Sequence, residues 1–184
     1  MKKQTQWSLA LIASIGALYA NAATQEPSYY VGAKIGGGHV SQLDNTVTDL
    51  TSVDKNVTTW SAYAGIRALP WLAAEIGYVD LGKISLSDVD GDYTATGVDL
   101  AAKAIYNIND KFDLFFRAGV FVYEWKANGN NVCCNDSYVT GTVGAGVEYQ
   151  LAEKWSALVD YKYYPNVGGT PDFHTYSIGA QYTF

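Results

Sequence analysis

Charged residues are scarce in this chain of 184 residues, where Asp, Glu, Lys and Arg make up 16% of the sequence, against roughly 25% in an average soluble domain. The net charge is −6 and no long basic run occurs, which argues against nucleic-acid binding, because a phosphate-binding surface needs clustered Lys and Arg. Beyond the N-terminal region, no apolar run approaches the roughly 20 residues of a transmembrane helix. The composition therefore excludes a nucleic-acid-binding protein and a mature protein anchored by helices.

Aromatic residues and glycine are abundant instead. The chain contains 15 Tyr, 5 Trp and 18 Gly, and 48% of its residues are hydrophobic. This profile favours β-strands over helices. The length fits one domain, and no linker, coiled-coil heptad or low-complexity tail is visible.

The N-terminal segment has the pattern of a secretory signal peptide. Two lysines follow Met1, residues 7–19 are apolar, and residues 20–22 read Ala-Asn-Ala, the small-x-small pattern of a cleavage site. We predict a signal peptide over 1–22 and a mature barrel domain over 23–184, with cleavage after Ala23 as a less favoured alternative. The apolar run is too short for a membrane anchor. Because the cleavage site has no Cys, a lipoprotein is not indicated either.

Eight segments of the mature chain alternate between apolar and polar residues, and each is long enough for the roughly 9–11 residues of a tilted membrane strand. Tight turns at 68–71, 107–110 and 151–154 alternate with longer polar connections at 39–56, 82–92, 126–136 and 165–172. Short and long connections in alternation are typical of outer-membrane barrels. The predicted strands are 29–38, 57–69, 71–81, 93–108, 111–125, 137–151, 154–164 and 173–184.

The two faces of these strands differ in chemistry. One face is apolar and has Trp or Tyr near the strand ends, as an interfacial aromatic girdle requires. A secreted sandwich or a lipocalin-like barrel would also alternate, but the girdle and the loop pattern favour a membrane barrel over both. The other face carries eight charged residues, which we predict to form a polar network in the lumen: Lys34, Arg67, Glu75, Asp99, Lys103, Arg117, Glu148 and Asp160.

These buried charges need partners, because an isolated carboxylate inside the barrel would lose several kcal/mol of solvation. Eight strands enclose an interior that side chains just fill. A structural salt-bridge network is therefore favoured over an ion-conducting gate.

The last predicted strand ends in an aromatic residue on its apolar face. Chain termini are usually frayed and polar, so a regular apolar face at this position indicates a specific role. The face resembles the C-terminal signal that the barrel-assembly machinery recognises in outer-membrane proteins, although an edge strand could end the chain in the same way. The residues of this face are Tyr176, Ile178, Ala180, Tyr182 and Phe184.

Short motifs distributed in order over nearly the whole mature chain resemble the OmpA transmembrane domain family. They are SYYVGAK at 28–34, AEIGY at 74–78 with LG at 81–82, GVDLAAK at 97–103, GVEY at 146–149 and DY at 160–161. The resemblance implies an all-β fold, an eight-stranded antiparallel up-and-down transmembrane β-barrel with both termini in the periplasm. It also implies a location in the bacterial outer membrane. Because the sequence stops at Phe184, we expect no peptidoglycan-binding domain.

In that family, two acidic and two basic residues in the lumen form a switchable gate. Glu75, Lys103 and Glu148 match three of these positions, but the fourth, an arginine in the family, falls on Leu158. This departure argues against a switching gate. Arg117 matches another lumen arginine of the family and could pair with Glu75 or Glu148.

Enzyme and metal sites find little support. His174 and Ser177 are three residues apart, so on a strand they point to opposite faces and form no nucleophile–base pair. Asp88, Asp90 and Asp92 lack the distal Glu of an EF-hand loop, so a solvated loop is favoured over weak divalent binding. We expect no catalysis, no cofactor and no metal site.

Cys133 and Cys134 are adjacent in a predicted loop of an exported chain. An oxidising compartment favours a disulfide, either a strained vicinal one or an intermolecular bond. Zinc binding is the least favoured option, because two ligands without a nearby His cannot complete a site.

The expected function is a contribution to outer-membrane integrity, with at most a narrow, porin-like pore of low conductance. A surface-loop binding protein, such as an adhesin or phage receptor, is the alternative, and a lipid-modifying enzyme is less favoured. We expect a monomer whose partners are outer-membrane lipid, lipopolysaccharide and, through the C-terminal strand, the barrel-assembly machinery.

Overall fold

A computed structural model describes residues 26–41, 56–85, 91–129, 135–167 and 171–184. The predicted signal peptide, the two cysteines and most of the long connections lie outside the described residues. The structure consists of eight strands: β1 (Ser28–Ser41), β2 (Asn56–Leu69), β3 (Leu72–Ser85), β4 (Gly91–Asn107), β5 (Phe112–Gly129), β6 (Asn135–Ala152), β7 (Trp155–Tyr164) and β8 (Asp172–Thr183).

Each strand pairs antiparallel with the next, and β1 pairs with β8, so the sheet closes into a barrel. Closure leaves every strand with two neighbours and therefore no free edge. The predicted eight-stranded up-and-down barrel is confirmed. Within the described ranges, no helix has the length and hydropathy needed to cross a membrane.

The connections differ at the two ends of the barrel. Residues 70–71, 108–111 and 153–154 join strands at one end, which we call the turn end. Residues 42–55, 86–90, 130–134 and 165–171 join them at the other, which we call the loop end. The alternation of short and long connections agrees with the prediction.

Several strands continue further towards the loop end than the sequence predicts. β1 extends to Ser41, so His39 lies within a strand rather than at the start of a loop. β4 and β5 stay paired out to Gly91 and Gly129, which were expected to lie in loops. Polar residues can pair in a ladder beyond the membrane, and their composition alone does not distinguish such a ladder from a loop.

The outer face of the barrel is apolar and carries aromatic contacts near both ends. At the loop end, Trp60 packs on Tyr78 with ring centroids 5.6 Å apart, and its Nε1 donates to Asp80 Oδ2 at 3.2 Å. At the turn end, the Trp155 and Tyr182 rings lie 5.1 Å apart. Rings with one apolar side and one polar group suit the two membrane–water interfaces, as the sequence predicted.

The inner face holds two apolar clusters. The loop-end cluster fills the lumen towards the loop end, and the turn-half cluster lies nearer the tight turns, among the charged residues. Both consist of buried side chains, so each region is packed as a core is. The loop-end cluster is Val40, Val57, Val79, Leu81, Ala95, Phe121, Tyr123, Tyr164, Val167 and Phe173; the turn-half cluster is Tyr30, Tyr63, Ala73, Ile105, Phe115 and Leu158.

Inward-facing glycines make room for the rings of the turn-half cluster. A Cβ on Gly32 would lie 2.4 Å from Tyr63 Cζ, and one on Gly65 would lie 2.2 Å from Tyr30 Cζ. The glycine on β1 therefore leaves room for the Tyr63 ring of β2, and the glycine on β2 leaves room for the Tyr30 ring of β1. This explains part of the high glycine content and brings two tyrosines beside the charged residues.

Candidate functional site in the barrel lumen

Between and among the apolar clusters, the lumen contains a network of charged side chains drawn from six strands. Its members are inward-facing because of the two-residue repeat of each strand. Four cations and four anions take part, so the formal charges balance. They are Lys34, Lys103, Arg117 and Lys162 together with Glu75, Asp99, Glu148 and Asp160.

Arg117 is the centre of this network. Its Nε lies 2.7 Å from Glu75 Oε2, its Nη2 donates to Glu75 Oε1 at 3.2 Å, and its Nη1 donates to Asp160 Oδ2 at 2.5 Å. The guanidinium also lies 4.5 Å from the centroid of the Phe115 ring. A planar guanidinium suits this role, because it can bind two carboxylates in fixed directions while stacking on an aromatic face.

Lys103 connects two further carboxylates. Its Nζ donates to Glu148 Oε2 at 2.8 Å and lies 3.6 Å from Glu75 Oε1, although only 1% of the residue is exposed. Gln181 Nε2 donates to the other oxygen of Glu148 at 2.9 Å, and the Tyr30 hydroxyl donates to Glu75 Oε1 at 2.8 Å. Each of these two carboxylates therefore has a cation and a neutral donor, as a buried carboxylate requires.

The other two pairs lie nearer the loop end. Lys34 Nζ donates to Asp160 Oδ2 at 2.7 Å, and Lys162 binds Asp99 in a short contact. Thr142 Oγ1 donates to Asp99 at 3.3 Å. A small cavity of about 20 Å³ adjoins Lys34, Asp160 and Lys162 beneath the loop-end cluster, enough for about one water molecule.

The structure brings together all the predicted network residues except Arg67. Arg67 faces inward by its position in β2, but it lies at the turn end, where its side chain is 31% exposed and 3.7 Å from Asp113. Its Nη2 donates to the carbonyl oxygen of Pro70 at 2.7 Å. Arg67 therefore has the predicted face but lies outside the buried network, because alternation gives the face of a residue but not its distance from the mouth of the barrel.

Sequence reasoning omitted Lys162 and the polar partners of the network. Lys162 stands on the same face of β7 as Asp160, so the alternation itself contained this signal. Tyr30 contributes a hydrogen bond to Glu75 because its ring lies over a glycine of the next strand. Alternation in the sequence does not indicate such a contact.

Leu158 is the residue at which the resemblance to the family implies an arginine. It is buried in the turn-half cluster and faces Glu148 directly across the β6–β7 ladder. Arg117, the other candidate cation, pairs with Glu75 and Asp160 rather than with Glu148. In the described lumen, Glu148 therefore forms its ion pair with Lys103.

The predicted residues of the C-terminal signal lie on the outer face of β8 or just beyond it. Tyr176, Ile178 and Phe184 are exposed there, and the backbone N–H of Phe184 donates to the carbonyl oxygen of Tyr29 at 3.0 Å. Their role as an assembly signal stays a prediction. Cys133 and Cys134 lie outside the described residues, as do Asp88 and Asp90.

His174 points outward and Ser177 inward, where the serine hydroxyl binds Asp160. The serine that does approach His174 is Ser41, whose Oγ lies 3.1 Å from Nε2. Sequence reasoning missed this neighbour, because the two residues come from the first and last strands. In the part of the chain that the structure describes, no group of three His, Cys, Asp or Glu residues has the arrangement of a metal site.

Comparisons with known proteins agree with this architecture. The OmpA-like transmembrane domain family matches residues 24–184. Outer membrane protein A of Serratia marcescens is 32% identical over 207 residues, which cover 99% of this chain and 56% of that protein. The corresponding protein of Shigella flexneri is 30% identical over 197 residues, with coverage of 99% and 56%. The chain thus spans about half the length of these relatives.

Solved barrels share the fold at low sequence identity. The structure of Neisserial surface protein A matches with a TM-score of 0.65 and 14% identity, covering 87% of this chain and all of that one. The attachment invasion locus protein Ail of Yersinia pestis matches with a TM-score of 0.63 and 16% identity, with the same coverage. This chain belongs to the OmpA-like transmembrane domain family and is a β-barrel protein of the bacterial outer membrane.

Proposed function

We propose that this protein contributes to outer-membrane integrity as a non-catalytic barrel whose lumen is held closed. The observation that carries the proposal is the filled interior: Lys103 is 1% exposed and Phe115 and Phe121 are 0% exposed. A barrel filled to this degree has the packing of a protein core rather than of an aqueous channel. Its apolar outer face, with an aromatic girdle at each interface, would anchor it among outer-membrane lipids and lipopolysaccharide.

Two barriers would have to open before ions could pass. The first is the charged network, in which Glu148 would need a second cation to exchange for Lys103. Leu158 faces Glu148 across the ladder and cannot supply one. A switch of partners by Glu148 would therefore leave a buried charge unpaired, at a cost of about 3–5 kcal/mol.

The second barrier is the loop-end cluster. Phe121 stacks on Tyr123 with ring centroids 5.1 Å apart, and Val167, from the connection between β7 and β8, is completely buried beside them. This connection is held down by bonds to its backbone, since Thr140 Oγ1 donates to the carbonyl oxygen of Pro165 at 2.5 Å. An apolar constriction of this kind also opposes conduction, because it excludes water.

Two measurements test the proposal. A strain that lacks its own OmpA-type barrel should regain resistance to detergent and to a hydrophobic dye when it expresses the folded protein. In planar bilayers, the purified barrel should give no conductance steps. Failure to restore the barrier at normal levels of folded protein would contradict the integrity role, and regular conductance steps would contradict the closed lumen.

A narrow pore is the second candidate function. The position of Lys103 favours it. Lys103 Nζ lies 2.8 Å from Glu148 Oε2 and 3.6 Å from Glu75 Oε1, so a small movement of the ammonium group would exchange one carboxylate partner for the other. Lys103→Ala should then produce conductance steps that the wild type lacks, and Leu158→Arg, which offers Glu148 a second cation, should do so as well. If both variants remain silent while folded, the pore hypothesis is wrong. The surface-binding alternative depends on connections that lie mostly outside the described residues.

A further inference from the structure

The two histidines of this chain meet on adjacent strands. They are 135 positions apart in the sequence, yet His39 of β1 and His174 of β8 are direct cross-strand partners. Because β1 and β8 are the first and last strands, this pair lies on the seam where the barrel closes, at its loop end. The sequence holds no other His, so the fold places both histidines at directly opposed positions of one strand pair.

Both side chains project from the outer face. On β1, the outward positions are the odd-numbered ones, as the exposed Tyr29 and Ile35 show, and His39 continues this series as an exposed residue. On β8, Tyr176 and Ile178 mark the even-numbered positions as outward, and His174 belongs to the same series. The two imidazoles lie one step beyond the ring of Tyr176, towards the loop end and its aqueous surroundings.

Hydrogen bonds hold the ring of His174 in one orientation. Its Nδ1 lies 2.7 Å from the hydroxyl of Tyr161, and its Nε2 lies 3.1 Å from Ser41 Oγ. Tyr163 packs against the same ring with centroids 5.0 Å apart. Since Ser41 is on β1, two residues after His39 and on the same face, Nε2 is directed to the strand that carries the other imidazole.

This arrangement has the chemistry of a transition-metal chelate. Directly opposed residues of an antiparallel pair have Cβ atoms about 4.5–5.5 Å apart, a spacing from which two imidazoles can bind one ion at Zn–N distances of about 2.0–2.1 Å. Tyr161 stands where a neighbouring group commonly fixes the free ring nitrogen of a metal-bound histidine. The Ser41 hydroxyl and water could supply the remaining oxygen ligands.

We propose that His39 and His174 form a binding site for a borderline divalent transition ion, such as Zn²⁺, Cu²⁺ or Ni²⁺, on the outer face of the barrel. Imidazole donors select these ions over Mg²⁺ and Ca²⁺, which take oxygen ligands. A bound ion bridges β1 and β8 across the closing seam. It therefore stabilises the folded barrel by mass action, since unfolding separates the two ligands.

Copper binding to the tag-free protein, folded in detergent micelles, tests the site. Electron paramagnetic resonance of the wild type titrated with Cu²⁺ should show one saturable site with two imidazole nitrogens. Tyr161→Phe, which removes the bond to Nδ1, should weaken binding by about tenfold, and His39→Ala and His174→Ala should each weaken it further. Tyr78→Phe, an aromatic change elsewhere in the loop-end girdle, is the matched control and should bind as the wild type does.

Heat-modifiable gel mobility supplies a second readout. Samples are heated to increasing temperatures before electrophoresis, and the temperature at which the band of the folded protein disappears is recorded. Zn²⁺ should raise this temperature for the wild type and for Tyr78→Phe, and should leave it unchanged for both histidine variants; Mg²⁺ should have no effect on any of them. A single nitrogen ligand in the copper spectrum, undiminished binding in His39→Ala or His174→Ala, or equal protection by Mg²⁺ would overturn the proposal. Because these measurements require neither conductance nor a membrane barrier, they are independent of the proposed function.

Discussion

Replacing Arg117 by Met removes the central cation of the lumen while keeping an unbranched apolar side chain about as long as the aliphatic part of arginine. Glu75 and Asp160 then lose their closest guanidinium contacts, at 2.7 and 2.5 Å. Breaking a buried ion pair from one side typically costs about 3–5 kcal/mol. The lower end is expected here, about 3 kcal/mol, because Asp160 keeps Lys34 at 2.7 Å and Glu75 keeps Lys103 at 3.6 Å.

A double-mutant cycle separates the ion pair from general damage to packing. Glu75→Gln alone should also destabilise the barrel, because it leaves Arg117 with one carboxylate. The double variant Arg117→Met/Glu75→Gln restores a balance of three cations and three anions. Its loss of stability should therefore fall short of the sum of the single losses by about 2 kcal/mol, within the range observed for residues in contact.

Urea unfolding in lipid vesicles, followed by tryptophan fluorescence, measures these free energies. Arg67→Met is the matched control, since the same substitution at the turn end removes a partly exposed pair at 3.7 Å and should cost less than about 1 kcal/mol. Equal effects of Arg117→Met and Arg67→Met would refute the central role of Arg117. Simple additivity in the double variant would refute direct coupling to Glu75.

Three further predictions concern the packing of the lumen and use the same unfolding assay. Gly65→Ala should destabilise the barrel by about 1–3 kcal/mol, because the new Cβ meets the Tyr30 ring at 2.2 Å and that ring is held by a hydrogen bond to a carboxylate. Gly141→Ala is the control and should be nearly neutral, since the nearest neighbour of its new Cβ would be 4.0 Å away. Equal losses of stability in the two variants would contradict the steric argument. Phe121→Ala empties the middle of the loop-end cluster and should cost about 3–5 kcal/mol; a loss below 1 kcal/mol would show that the cluster is loosely packed. Lys162→Met leaves its buried aspartate partner without this cation and should cost about 3 kcal/mol, so a neutral result would argue against that ion pair.

Alternation in the sequence predicts the faces of the strands because the two-residue repeat is a property of the backbone. It assigns Arg117 and Asp160 to the lumen without any knowledge of their neighbours. It cannot assign them to each other, because contacts across a barrel depend on the stagger of the strands, which the alternation does not contain. These partners are 43 positions apart in the sequence and lie on the first and last of three consecutive strands, whose relative heights only the closed structure provides.

Strand ends were less predictable than strand faces, for a related reason. A membrane strand is recognised by its apolar positions, and these end at the interface while hydrogen-bonded pairing continues. His39 lies in that continuing region, where Ser41 and Asp172 are equally compatible with a loop. Only the pairing of β1 with β8 shows that the two histidines share a surface.

Leu158 illustrates how charge balance constrains such an interior. The described network contains four cations and four anions, and Lys162 is one of the four cations. An arginine at position 158 would add a fifth cation beside Glu148 without an additional anion, and an uncompensated buried charge costs several kcal/mol. A leucine at this position keeps the interior neutral while it packs in the turn-half cluster. The same leucine leaves Glu148 without a cationic partner directly across the ladder on β7, so the residue that keeps the interior neutral also supports the proposed closed lumen.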